Sequence, residues 1–231
     1  MNDFSKQWMW ALIKKLLEAF GQRLTFAGLQ GSRARGEERP DSDIDAVVIL
    51  DILEPDDLQT YRGIVRSMPD SHLACGFVSG KGELAAWPRW ELWGFFHDTI
   101  PLYGSMDFVL PFITGEEIIR AVQAGAGAMY HGLCHGLVFG GLPEALPGIC
   151  KTAFFVLSAR EYLRTGVYRR TKAELCAALD TDDQAVLELS MGDLPASEKE
   201  CEQAGRFLFD WSRRVLQEAG ATLEEDCQRQ P

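Results

Sequence analysis

The sequence predicts an α+β protein in two parts: a β-sheet domain flanked by helices over residues 1–112, then an all-α helical bundle over 113–231. Three observations predict it. Short apolar runs of strand length, above all Ala46-Val47-Val48-Ile49-Leu50, alternate with helical stretches before Pro111. After Pro111 only long helical stretches follow, separated by glycine turns. A chain of 231 residues with 46% hydrophobic content has the material to fill the core of one large or two small domains.

The elements follow in order. Met1 to Gly21 interleaves Trp8, Leu12, Leu16 and Phe20 with Lys6, Lys14, Lys15 and Glu18, the spacing of an amphipathic helix. Strands are expected at Arg23–Gln30 and Asp43–Leu50, with a turn and short helix between them. Pro55 to Met68 reads as a helix, with Asp56 and Asp57 in the first turn, where the helix dipole favours acids. Ser71 to Ser79 is a third strand, weakened by Gly76. Gly82 to His97 is a tryptophan-rich helix, kinked or restarted at Pro88. Its Trp87, Trp90 and Trp93 stand at helical spacing, as core against the sheet. Thr99 to Val109 is a fourth strand. Beyond Pro111 helices are expected at 114–137, 145–165, 171–190 and 196–219, with turns at Gly140-Gly141, Gly166 and Gly192.

The chemistry concentrates in residues 31–45, Gly-Ser-Arg-Ala-Arg-Gly-Glu-Glu-Arg-Pro-Asp-Ser-Asp-Ile-Asp. Side chains two apart on a strand share one face, with Cα atoms about 6.6 Å apart. Asp43 and Asp45 therefore converge on one side, and Mg²⁺ accepts one or two carboxylates beside phosphate oxygens and water. Gly31 lets the chain turn tightly, and amides of the turn and the next helix can meet phosphate oxygens. Ser32 adds a hydroxyl, and Arg35 a planar cationic fork suited to phosphate.

This Gly-Ser turn, followed by Asp-x-Asp at the head of an apolar strand, resembles the nucleotidyltransferase superfamily of DNA polymerase β. The resemblance is to its bacterial small-molecule branch, with the streptomycin/spectinomycin and kanamycin nucleotidyltransferases. It implies a mixed-sheet nucleotidyltransferase domain over 1–112, with Asp43 and Asp45 as metal-binding carboxylates and Gly31, Ser32 and Arg35 against the nucleotide. Ile100-Pro101-Leu102-Tyr103-Gly104 is similar to the strand that closes such a core. Ala153 to Ala178, which includes Thr165-Gly166 and Thr171-Lys172, is similar to the helical domain of the streptomycin/spectinomycin enzymes. That match implies that Lys172 reaches nucleotide phosphates from a cleft between domains; Arg169, Arg170 and Lys172 are also the densest basic patch in the chain.

The reaction implied is Mg²⁺-dependent transfer of AMP from ATP to a hydroxyl of a small molecule, aminoglycoside-like. In this family a third carboxylate on the strand matching Ser71–Ser79 acts as metal ligand or general base, and here that strand carries no acid. Glu83, just past its end, is the nearest replacement, and Asp98 the next. Two other function classes stay open: a nucleotidyltransferase-fold antitoxin or protein-modifying enzyme, and a nucleotide-binding regulator that has lost its chemistry.

Composition narrows the partners. The net charge is −11, with an excess of five acids before residue 113 and six from there on. Nucleic-acid binding needs a basic stripe, and none is visible, so a nucleoside triphosphate and a small-molecule acceptor are expected rather than DNA or RNA. No run of about 18 apolar residues marks a membrane span, and no signal peptide is recognisable, so a cytoplasmic location is expected. Cys75, Cys134, Cys150, Cys176, Cys201 and Cys227 lie far apart without C-x-x-C spacing, as reduced thiols do. His131 and His135, four apart with Cys134 between them, lack a third ligand at useful spacing and read as packing residues.

Overall fold

Asn2 starts the first helix, its side chain accepting the Ser5 amide at 2.8 Å. Helix α1 (Asp3–Phe20) then buries Trp8, Leu12, Leu16 and Phe20, the stripe that the sequence predicts. In this computed structural model, which describes residues 1–192, 195 and 197–229, the chain forms two units, Met1–Ile113 and Thr114–Pro231.

The first unit is built on a four-stranded sheet: β1 (Leu24–Gln30), β2 (Ile44–Leu50), β3 (Ala74–Gly80) and β4 (Ile100–Gly104), in the order β3-β2-β1-β4. Strand β1 runs antiparallel to both β2 and β4, whereas β2 and β3 are parallel, so the sheet is mixed. Both faces of β2 are covered, which is why it reads as an unbroken apolar run rather than an alternating one. Ile44, Ala46, Val48 and Leu50 share a core with the α1 stripe. Val47 and Ile49 face the other way and join Phe26, Leu84, Leu92 and Val109.

Helix α2 (Gly31–Arg35) follows β1, α3 (Pro55–Arg66) follows β2, and α4 (Lys81–Ala85) and α5 (Arg89–Asp98) join β3 to β4. The helix predicted over Gly82–His97 is two helices, because Pro88 is the N-cap of α5 and cannot continue α4. The predicted fourth strand stops at Gly104, and Asp107–Phe112, with Pro111 inside it, winds into a 3₁₀ turn. Of the three tryptophans, Trp93 is buried, while Trp87 and Trp90 are exposed. Trp87 stands edge-on to Phe77 at 5.3 Å and donates Nε1–H to Glu91.

The second unit is helical: α6 (Gly115–Phe139), α7 (Leu142–Thr165), α8 (Lys172–Cys176), α9 (Thr181–Glu188) and α10 (Glu198–Arg229). The single helix predicted over 171–190 divides because each half carries its own start signal. Thr171 and Glu174 form a capping box on α8, and the Asp180 side chain accepts the Asp183 amide to start α9. Trp211 of α10 is buried and donates Nε1–H to Asp183 at 2.7 Å. Among the described residues no helix is long and apolar enough to cross a membrane. Cys75, Cys134, Cys150, Cys176 and Cys201 are free thiols; the side chain of Cys227 lies outside the described residues.

One ion pair ties the entrance of β1 to the first turn of α3. Arg23 donates from Nη1 and Nη2 to the two carboxylate oxygens of Asp57 at 3.0 and 2.6 Å. Arg23, and then the Glu54 amide, hold the Asp57 carboxyl below the usual carboxylate range. A carboxyl lowered in the folded state stabilises it above its unfolded pKa, and the contribution is lost as pH falls through the folded value. Chemical denaturation is therefore expected to show stability dropping as pH falls below about 4, with a shallower drop in Arg23→Met. An identical acid slope in that variant contradicts the assignment.

Candidate active site

The register of β1 and β2 pairs Gln30 with Asp45, so the turn that leaves β1 meets the carboxylate that enters β2 at one end of the sheet. Gly31 sits in that turn with φ +75°, and a Cβ added there would overlap the Asp45 carboxylate. The glycine is needed twice, for its backbone conformation and for the space that Asp45 occupies. Asp43 lies just before β2, exposed, with the same parity as Asp45, whose side chain is half-buried. Ser32 follows Gly31 and is half-buried.

Two arginines of α2 support this corner from opposite sides, since residues two apart on a helix point about 200° apart. Arg33 is buried and spends its guanidinium on backbone carbonyls: Nε on Ser42 and Asp43 at 3.0 and 3.1 Å, and Nη2 on Ser42 at 2.7 Å. It thereby fixes the peptide that carries the Asp43 side chain. In the sequence Arg33 carries only one signal, the opposed pair of arginines in Gly31-Ser32-Arg33-Ala34-Arg35. Arg35 was expected at the nucleotide phosphates. The structure places it in a buried ion pair, with Nη1 donating to both carboxylate oxygens of Asp98 at 2.8 and 2.9 Å and Nε to Glu37 at 3.1 Å. Burial alone would lower the Arg35 pKa, and the carboxylates of Asp98 and Glu37 more than offset this, leaving it raised.

Asp98 ends α5, and the pairing of Leu29 with Ile100 brings it to the same end of the sheet as Gly31. Its Oδ2 accepts the Gly31 amide at 3.3 Å. Glu83 is not brought there. In the parallel register of β2 and β3, Asp45 pairs with Cys75 and Leu50 with Gly80. The Glu83 carboxylate folds back over Gly80, where a Cβ would overlap it. Five residues at about 3.3 Å each separate the two ends of that register by about 16 Å. A general base must stand about 2.6–3.2 Å from the proton it takes, or one water away. Glu83, expected as the base, is at the wrong end of the strand.

Level with Asp45 on β3 stands Cys75, exposed. Parallel neighbours in register turn their side chains to the same face, with strands about 4.8 Å apart. Among the described residues no group of three His, Cys, Asp or Glu side chains is arranged to hold a metal ion, so His131, Cys134 and His135 form no such site. Asp43 and Asp45 form a pair of hard oxygen donors, which suits an ion that completes its shell with phosphate oxygens and water. Lys172 lies in the second unit at the start of α8, where its Nζ donates to the Ser190 carbonyl at 2.5 Å.

Residues 12–87 match the family described as "Nucleotidyltransferase domain". No curated protein matches the chain. Ten chains of solved structure do, among them the spectinomycin adenyltransferase AAD(9) from Enterococcus faecialis, crystallised with ATP and spectinomycin. The likeness covers 91% of this chain and 98% of that one at 12% sequence identity, with a TM-score of 0.54. At that identity it shows a shared α+β fold: a mixed sheet followed by helices.

The overlap at Gly31 yields a test of this corner. Gly31→Ala puts a side chain at positive φ, which costs about 1–2 kcal/mol, and forces the Asp45 carboxylate aside. Circular dichroism is expected to show the fold kept, with a modest fall in Tm. Titration with Mg²⁺ and an ATP analogue is expected to show nucleotide affinity reduced at least about tenfold, near 1.4 kcal/mol. Unchanged affinity contradicts the placement of Asp45 at the site.

Proposed function

We propose that this enzyme of the nucleotidyltransferase type, whose residues 12–87 match the nucleotidyltransferase-domain family, transfers AMP from ATP to a hydroxyl of a small molecule and releases pyrophosphate. The observation that carries the reading is the pairing of Gln30 with Asp45, which sets the Gly31 turn against the Asp45 carboxylate, with Asp43 two residues before it. In the proposed reaction the acceptor oxygen bonds to the α-phosphorus as the bond from that phosphorus to the pyrophosphate oxygen breaks. Asp43 and Asp45 hold Mg²⁺, which supplies charge neutralisation and alignment of the attacking and leaving oxygens. Gly31 and Ser32 position the triphosphate, and Arg35 supports them from behind. With Glu83 at the far end of β3 and Asp98 engaged by Arg35 and Gly31, the acceptor proton leaves to water at the exposed Asp43 edge.

Support for a small-molecule acceptor comes from the fold shared with AAD(9), which was crystallised with ATP and spectinomycin. The net charge of −11 suits a cationic, aminoglycoside-like acceptor and disfavours nucleic acid. Free, separated cysteines suit a cytoplasmic location. One observation favours a second reading, a nucleotide-binding protein with weakened chemistry: where the family places a third carboxylate, β3 has no acid, and Cys75 stands level with Asp45.

Asp43→Asn and Asp45→Asn are each expected to reduce Mg²⁺-dependent pyrophosphate release by roughly 10² or more, whereas Glu83→Gln stays within a few-fold of wild type. Full activity in both aspartate variants, or a collapse in Glu83→Gln, contradicts the site. Cys75→Asp places an acid on the Asp45 face and is expected to raise turnover, while Cys75→Ala leaves it unchanged. Loss of turnover in Cys75→Ala would instead make the thiol itself a participant.

A further inference from the structure

We propose that Arg35 acts on the nucleotide through Asp98, and that Asp98 is a positioning residue of the site, neither a base nor a ligand. This inference rests on the nucleotidyl-transfer reading above. Three contacts assign the role. Asp98 Oδ2 accepts the Gly31 amide at 3.3 Å, so the carboxylate touches the backbone of the turn itself. Both Asp98 oxygens take Arg35 Nη1, at 2.8 and 2.9 Å, and the two side chains are each 9% exposed. Arg35 Nε is engaged by Glu37 at 3.1 Å. The guanidinium fork thus faces carboxylates on two of its edges.

The consequence for the site follows from what touches Gly31. Its amide is held by Asp98, and the space where a side chain would stand is filled by the Asp45 carboxylate. Gly31 therefore touches two carboxylates, and a shift of its backbone would disturb the space that Asp45 occupies. Asp98 alone would add a negative charge beside a polyanionic ligand. Arg35 neutralises that charge and makes a carboxylate tolerable there. The two residues work as one unit, and units of this kind lose their function non-additively.

A double-mutant cycle tests this. Asp98→Asn keeps an acceptor for Gly31 but loses the ion pair; Arg35→Met removes the cation; the third protein carries both changes. Binding of Mg²⁺ with a non-hydrolysable ATP analogue is measured by calorimetry, alongside kcat, KM and Tm for each protein. The expected result is a roughly tenfold weaker nucleotide Kd in each single variant and about the same loss in the double variant, not a hundredfold loss. These losses should persist well below Tm, where a purely structural role would leave Kd unchanged. Arg35→Lys keeps the charge and is expected to restore part of the affinity. Weaker binding in Arg35→Met with wild-type binding in Asp98→Asn overturns the inference, because Arg35 would then meet phosphate directly. Wild-type Kd and kcat in both single variants also overturn it. Failure of the wild-type protein to bind the nucleotide overturns the underlying reading and this inference with it.

Discussion

The candidate site depends on one steric constraint: the Asp45 carboxylate occupies the place where a side chain of Gly31 would be. Everything around the corner serves that contact. The antiparallel register of β1 and β2 brings the two residues together, and Arg33 pins the peptide of Asp43 beside them. Asp98, paired with Arg35, accepts the Gly31 amide. The buried sheet below, packed on both faces, gives these contacts a rigid base.

The same constraint explains the electrostatics. Four carboxylates, Asp43, Asp45, Asp98 and Glu37, lie on or next to the turn, against the two arginines of α2. Arg33 is satisfied by carbonyl oxygens, and Arg35 by two of the four acids. Asp43 is exposed and Asp45 half-buried at the head of β2.

Much of this was legible in the sequence, for physical reasons that can be named. Strand β2 declared itself as an apolar run of strand length, whereas Asp43, expected as its first residue, lies just before it. The α+β class followed from strand-length runs before Pro111 and long helices after it, and the mixed sheet from the resemblance carried by the same motif. Helix division was harder to read. Pro88 marked a restart that the structure makes a full break, and Asp180 at the head of α9 was an unused start signal. Glu83 illustrates the opposite limit. It follows the strand that bears the family's third acid, but proximity in sequence placed it past the wrong end, and only the register of β3 shows that. Arg35 looked free for phosphate because a sequence does not display the carboxylate of Asp98, 63 residues later, that engages it.

The central claim is that the metal and nucleotide meet at the end of the sheet where Asp45 pairs with Gln30. Anomalous diffraction from crystals grown with Mn²⁺ and a non-hydrolysable ATP analogue addresses it directly. The account predicts an anomalous peak bridging the carboxylates of Asp43 and Asp45, with the triphosphate against Gly31 and Ser32. A peak at the Glu83 end of β3, or nucleotide density away from the Gly31 turn, contradicts it.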